Sequence, residues 1–280
     1  MEIVLHQDVV EFTKHAKPLY DADPYRHTVA LTVLDTASGL GDPLATMLTV
    51  HEGGETVAAA LRSPGFPLLA SGVPAELAVA VDAALAGSDP GINEVAGPER
   101  EASAFAAAHT ARTGSSTQLV LHLRLFKLGT LVAPTGIRGA ARLGTEADLD
   151  VLGAWRAEFD AEASHRTPDT VSSRERARSA LRLGSAEVLW EVDGLPVSLA
   201  SARRPVAGMS RVGPVYTPPE LRGHGYAAAA TAAASQWALD AGAERVVLFT
   251  DLANPTTNRL YPRLGYQPVY DALELRFESS

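Results

Sequence analysis

The sequence predicts a mixed α/β fold laid down twice in tandem, each copy a mixed, mostly antiparallel sheet flanked by helices. Three observations carry this expectation. The second half runs β-α-α-β-β-β-α-β-α-β, a hairpin series followed by helix–strand alternation, which makes a mixed sheet. A similar hairpin and a similar helix–glycine–long-strand ending recur in the first half, at a period of about 140 residues when Gly54 is set against Gly194. Gly129 to Gly139, with Pro134 among them, read as a linker, which places a first domain at residues 1–133 and a second at 134–280.

The elements of the second half follow from local signals. Thr145, followed by Glu146 and Asp148, is an N-cap with acidic residues in its first turn. Leu149, Leu152, Trp155 and Phe159 then recur at helical spacing, giving a helix to about Ala163. Ser172 or Ser173 is expected to open a second, arginine-rich helix that stops at Gly184. Residues 186–192 and 196–202 read as strands around the Asp193-Gly194 turn, and 210–217 as a third strand stopped by Pro218-Pro219. An alanine-rich helix runs to Ala241, a β-branched strand covers 245–250, a helix 256–264 is closed by Gly265, and a last strand covers 267–277. In the first half, residues 46–61 form a hairpin, 75–85 a helix closed by Gly87, 99–113 a helix ended by Gly114, and 118–128 a long strand.

Composition narrows the function. Of the 280 residues 46% are hydrophobic, enough for a buried core, and the absence of cysteine removes disulfides, thiolate metal sites and a cysteine nucleophile. A net charge of −9 argues against nucleic acid, which wants a basic face. No run reaches the ~18–20 apolar residues of a membrane span, and Glu2, His6 and Asp8 stand where a signal peptide would be apolar. The expectation is a cytoplasmic protein with neither a nucleic-acid nor a membrane partner. The eight histidines make no His-x-x-x-His pair and no Gly-x-Ser-x-Gly elbow occurs, so neither a zinc site nor a hydrolase is expected.

The chemistry concentrates in Arg222-Gly223-His224-Gly225-Tyr226-Ala227, between a strand and a long helix. Glycines there allow a left-handed backbone and close ligand approach, and consecutive amides at a helix N-terminus form an anion cradle. Arg222 adds a forked donor suited to phosphate. Gly223-x-Gly225-x-x-Ala228 also fits a loose dinucleotide fingerprint, which would make the protein a nucleotide-dependent dehydrogenase. That fingerprint, however, wants its first glycine directly after the strand, and Pro218 to Arg222 intervene.

The run from Val215 to Ala227 resembles the acetyl-CoA signature of the GNAT superfamily of N-acetyltransferases, Arg/Gln-x-x-Gly-x-Gly/Ala, through Arg222, Gly225 and Ala227. Asn254 to Tyr266, with Asn258, Leu260, Tyr261 and Gly265, is similar to that superfamily's Asn-x-x-x-x-Leu-Tyr-x-x-x-Gly-Phe/Tyr segment. The resemblance implies an acyltransferase that uses acetyl-CoA as co-substrate, without metal, to acetylate an amine of a small molecule or peptide. By the same resemblance Val215, Tyr216 and Thr217 lie along the pantetheine and thioester. Residues Arg222, Gly223, His224, Gly225, Tyr226 and Ala227 cradle the pyrophosphate, Asn258 holds the pantetheine, and Tyr261 is the general acid to the leaving thiolate.

Two departures qualify it. The glutamate that many members carry on the fourth strand is missing from Ser210-Arg211-Val212-Gly213, leaving Glu158, Glu162, Glu191 or water as base. His224 stands at a loop position that is often basic in relatives. A CoA-binding regulatory module without turnover therefore remains the alternative. Arg174, Arg176, Arg178 and Arg182 make a basic helix face, either solvated or facing an anionic group on the acceptor. In the first half, residues 69–77 occupy the cradle's place but read Leu-Ala-Ser-Gly-Val-Pro-Ala-Glu-Leu. The first domain is expected to be a degenerate copy that shapes the acceptor pocket, or else an unrelated α/β domain.

Overall fold

A computed structural model describes residues 1–89, 91–164 and 167–278; of the eight histidines only His165 lies outside them. The chain folds as two compact units, Met1–Leu123 with Tyr270–Ser280, and Arg124–Val269.

Unit 1 begins with β1 (Glu2–Leu5), α1 (Val9–Ala22) and α2 (Thr28–Leu40). Asp8 caps α1 by accepting the Glu11 amide at 2.9 Å, and Phe12, Ala16 and Tyr20 form its buried stripe. Next come β2 (Thr46–Glu52), β3 (Glu55–Arg62), β4 (Leu68–Gly72), α3 (Ala78–Leu85), β5 (Glu94–Pro98), α4 (Glu99–Thr113) and β6 (Ser116–Leu128). Successive strands β1 to β4 pair antiparallel, and β4 runs parallel to β5. The apolar alternation of β2 and β3 sends Leu48, Val50, Ala58 and Ala60 into one core with Leu68, Val81, Val95 and Phe105.

Unit 2 repeats the order. It contains β7 (Ala140–Leu143), α5 (Leu149–Ser164), α6 (Thr170–Arg182), β8 (Ala186–Val192), β9 (Leu195–Ala202), β10 (Met209–Tyr216), α7 (Tyr226–Asp240), β11 (Arg245–Asp251) and α8 (Pro255–Arg263), and begins β12 (Tyr266–Glu278). Strands β7 to β10 are antiparallel in series and β10 is parallel to β11. The two-residue period splits each strand between faces. Val188 and Ala200 join Val212, Val246, Leu248 and the alanines of α7, while Leu189 and Leu199 join Leu149, Leu152 and Ala177. Alanine lets α7 lie close on the sheet and be buried on most sides, at Ala229, Ala230, Thr231, Ala232, Ala234, Ser235 and Ala238.

The mixed fold and its repetition are thus present, with local corrections. The second helix of unit 2 opens at Asp169, whose carboxylate accepts the Ser172 amide at 3.0 Å, rather than at Ser172 or Ser173. Thr145 does cap, in a reciprocal box with Asp148. The long strands β6 and β12 each divide between units: residues 116–123 and 270–278 belong to unit 1, and 124–128 and 266–269 to unit 2. In unit 1, Ala272 to Arg276 pair antiparallel with β5, and Leu275 and Phe277 pack on its core.

Candidate active site

Strands β10 and β11 pair from Met209↔Arg245 to Arg211↔Val247, after which the register ends, although β10 continues to Tyr216 and β11 to Asp251. Beyond Val212 the register of β10 with β9 also shifts, resuming at Val215↔Ala200. Val215 and Tyr216 thus stay fixed to β9 while their other edge faces a parted neighbour. Thr217 comes next, its hydroxyl bonded to Ser198 at 2.8 Å, and Ser198 also donates to the Tyr216 carbonyl at 3.0 Å.

Pro218 then starts a 3-10 turn, Pro219–Leu221, and the chain enters α7 through Gly223 (φ +84°) and Gly225 (φ +82°). Gly225 is the N-cap of this 15-residue helix and no side chain caps it. Ala229 bonds back to the Gly225 carbonyl at 3.1 Å, which leaves the amides before it pointing out of the helix end, where the dipole favours an anion. A Cβ on Gly225 would lie 2.6 Å from Ile137 Cδ1, whereas one on Gly223 meets nothing within 4 Å. Residues 222–225 are exposed, and the His224 ring stacks on Tyr226 at 5.3 Å. The turn is exposed and lies at the positive end of the helix dipole, a setting that favours an anion.

Both the amide and the side chain of Arg222 are engaged within the protein, the amide donating to the Pro219 carbonyl at 3.3 Å. The Arg222 Nε donates to the Thr217 carbonyl at 2.9 Å and its Nη2 to Glu162 at 2.7 and 3.0 Å, with the guanidinium 5.8 Å from the Tyr216 ring. The guanidinium therefore closes the turn on itself and onto α5. Asn258 likewise spends its amide nitrogen locally, on the carbonyls of Asp251, Leu252 and Asn254 at 2.8–3.1 Å. It braces the segment between β11 and α8, and its side-chain oxygen remains to accept.

Tyr261 is buried in the unit 2 core, 5% exposed, with its ring edge-on to Tyr266 at 6.0 Å. Burial pushes its hydroxyl up to about 12, so it stays protonated at neutral pH. Tyr266 ties its own hydroxyl to Ser235 at 2.6 Å, whereas that of Tyr261 has no protein partner among the described residues.

Tyr216 is the residue whose surroundings the sequence conceals. Trp155 lies 6.4 Å away, and burial together with the carboxylates of Glu158 and Glu162 pushes its hydroxyl above the ordinary phenol range. Glu158 and Glu162, one turn apart on α5, therefore face the end of β10. Glu191 does not join them, because it accepts from Arg142 at 2.6 Å at the β7 edge. On α6, Arg174, Arg176 and Arg178 pair with Asp150, Asp160 and Glu175, so acids on α5 and α6 itself neutralise much of the basic face. No group of three or more metal-ligating side chains is assembled among the described residues, and no helix among them is long and apolar enough to cross a membrane.

Residues 151–266 match the model of the Acetyltransferase (GNAT) family. No curated protein matches the chain in sequence. Among solved structures, a GNAT-family acetyltransferase of Colwellia psychrerythraea is similar at 11% identity, covering 99% of this chain and 100% of the other, with a TM-score of 0.63. A GCN5-related N-acetyltransferase of Kribbella flavida is similar at 20% identity, covering 90% and 96%, with a TM-score of 0.56. A tandem GNAT protein from the clavulanic acid biosynthesis pathway is similar at 14% identity, covering 99% and 98%, with a TM-score of 0.59. The chain thus carries the GNAT fold in tandem, and its residues 151–266 are similar to the GNAT acetyltransferases.

Proposed function

We propose that residues 134–280 form an acetyl-CoA-dependent N-acetyltransferase domain acting on a primary amine of a small molecule or peptide, and that residues 1–133 are its degenerate duplicate. One observation carries the reading. An uncapped, glycine-lined helix N-terminus follows, through one 3-10 turn, a strand that has parted from its parallel neighbour. Amides of residues 223–227 bind the pyrophosphate, the Arg222 amide being held by the Pro219 carbonyl, and the backbone at Val215, Tyr216 and Thr217 aligns the pantetheine arm, with Asn258 accepting from it. The co-substrate supplies the acyl group as a thioester.

Glu158 and Glu162 draw a cationic amine toward Tyr216 and take up its proton through water, since attack needs the neutral amine. Tyr261 donates its O–H to the departing sulfur. A phenol at about 12 is a weaker acid than an ordinary thiol near 8.5, so it acts mainly by hydrogen-bonding the thiolate, with full transfer left to solvent. The lack of cysteine suits direct attack on the thioester.

A CoA-binding module without turnover is the second reading, favoured by the lack of any acid in Ser210-Arg211-Val212-Gly213. Incubation of the full chain with acetyl-CoA and a panel of amines, detecting free CoA thiol, decides between them. Thiol release dependent on an amine is expected, and none with any amine favours the module. Melting-temperature shifts with acetyl-CoA and with NAD complete the test, because stabilisation by NAD alone rejects both readings.

A further inference from the structure

The run from Gly129 to Gly139 reads as a linker in the sequence, yet it is tied to unit 2 at both ends. At its start the Gly129 amide donates to the Gly265 carbonyl at 2.9 Å and the Val132 amide to the Leu264 carbonyl at 3.0 Å, while Leu131 packs on the unit 2 core. At its end the Arg138 carbonyl accepts from Trp190 Nε1 at 2.9 Å, and the Arg138 guanidinium donates to both Asp193 oxygens at 2.6 and 2.7 Å. Gly139 passes so close to β8 that a Cβ on it would lie 2.2 Å from the Glu191 carbonyl oxygen. Such a path is open to glycine alone.

Ile137 stands directly before that second anchor. It is only partly exposed, whereas its neighbours Thr135, Gly136 and Arg138 are exposed. Its side chain fills the space beside Gly225, since a Cβ there would lie 2.6 Å from Ile137 Cδ1 and 3.5 Å from its Cγ1. The turn it touches is held at its start by Arg222, through the Thr217 carbonyl and Glu162, but Gly225 itself has no side-chain cap. Glycines lose the most backbone freedom when a ligand orders them. An apolar side chain already seated on Gly225 removes part of that freedom in advance, and preorganisation of this kind raises affinity.

We propose that Ile137 is a positioning residue for the co-substrate: presented by the anchored run 129–139, it holds Gly223 to Gly225 in the conformation that receives the pyrophosphate. It acts through Gly225 and not on the reacting atoms. The proposal rests on the reading of unit 2 as an acetyl-CoA site.

The test titrates the full chain and its Ile137→Ala and Ile137→Val variants with acetyl-CoA by calorimetry. The valine variant deletes only Cδ1, the atom nearest Gly225, and keeps the test valid if the alanine variant folds poorly. The Kd is expected to rise about tenfold in Ile137→Ala and about threefold in Ile137→Val. In the thiol-release assay, kcat at saturating acetyl-CoA and KM for the amine are expected to stay within about twofold, a split that a general loosening of unit 2 would not give. A fall in kcat or a rise in amine KM that keeps pace with the Kd overturns the proposal. Parental affinity in both variants rejects the role of Ile137 alone, whereas a parent chain that does not bind acetyl-CoA rejects the underlying reading with it.

Discussion

Pro74 and Pro218 share one backbone geometry, φ −52°, ψ 143° and φ −48°, ψ 142°, and each opens a 3-10 turn after the fourth strand of its unit. The two chains diverge immediately beyond those turns. After Leu77 the helix begins at once with Ala78, whereas after Leu221 the chain inserts Arg222, Gly223, His224 and Gly225 before α7. The helix in unit 1 is also short, Ala78–Leu85 against Tyr226–Asp240. Unit 1 thus has the same turn after its strand but lacks the four-residue loop that precedes the next helix in unit 2. CoA binding by unit 2 should accordingly be sensitive to the geometry of that loop.

Gly223→Ala and Gly225→Ala test this as a pair. Both glycines hold a left-handed backbone, which costs an L-residue roughly 1–2 kcal/mol. Only at Gly225 does the new Cβ also collide, with Ile137 Cδ1. Urea denaturation is expected to show a larger loss for Gly225→Ala, and calorimetry a larger rise in the Kd for acetyl-CoA. Equal effects at both positions would mean that the contact with Ile137 relaxes freely.

Tyr261→Phe removes one hydroxyl that makes no hydrogen bond among the described residues, so stability should change by less than about 1 kcal/mol. The kcat is expected to fall by roughly 10²–10⁴, with the Kd for CoA kept within about twofold. An unchanged kcat would remove Tyr261 from the chemistry.

Much of unit 2 is legible because its signals are local. The Thr145 cap, the Asp193-Gly194 turn, the glycines at 223 and 225 and the stop at Gly265 each act within a few residues. What stays hidden in the sequence depends on distance or on conflict. Helix α1 carries Pro18 inside it, which reads as a breaker, and α2 starts at His27 without any side-chain cap. β1 is a four-residue strand, too short for a period to register, and β7, though expected at the head of the second half, is too short for the sequence to bound. The alternation of β12 is visible, but nothing in it says that residues 270–278 complete unit 1. The Arg222–Glu162 clamp joins residues far apart in the chain, and either alone reads as a solvated surface charge.

That clamp should matter for order more than for stability. Both side chains are 47% exposed, and such pairs are worth roughly 0–1 kcal/mol. Arg222→Gln is expected to leave the melting temperature nearly unchanged while raising the Kd for acetyl-CoA about tenfold, because the turn between Thr217 and α7 loses its tie. Glu158→Gln should instead raise KM for cationic amines and spare the CoA Kd. If both variants shift only CoA affinity, the acidic pair does not contact the acceptor.

A buried ion pair calls for the opposite expectation. Arg156 on α5 pairs with Glu187 on β8, both almost fully buried, and Ser201 bonds to each at 2.9 and 2.5 Å. Glu187→Gln leaves the Arg156 charge buried without a counterion and should cost about 3–5 kcal/mol in urea denaturation. The double change Arg156→Met with Glu187→Leu should recover much of that loss, since no charge then remains to desolvate. A double variant as unstable as the single one would show that Ser201, stranded without partners, dominates.

The pH dependence of stability should carry the mark of His27. Burial, with Arg26 nearby and Asp23 opposing, lowers its imidazole to about 4. The unfolded chain, with histidine near 6.5, therefore binds a proton between about pH 4 and 6.5 that the folded chain refuses. The unfolding free energy rises with pH across that window, is complete above 6.5, and falls by about 3 kcal/mol as the pH drops to 4. His6 is also lowered, chiefly by desolvation, and adds in the same direction. Asp82, Asp89 and Asp148 are held below the usual carboxylate range by their arginines, so their losses come at lower pH and do not mask the slope. In denaturation curves taken from pH 7 to 4.5, His27→Gln should show a markedly flatter dependence than the parent chain. Parallel slopes in the two would mean that His27 charges without penalty, and that its site opens to water before the fold is lost.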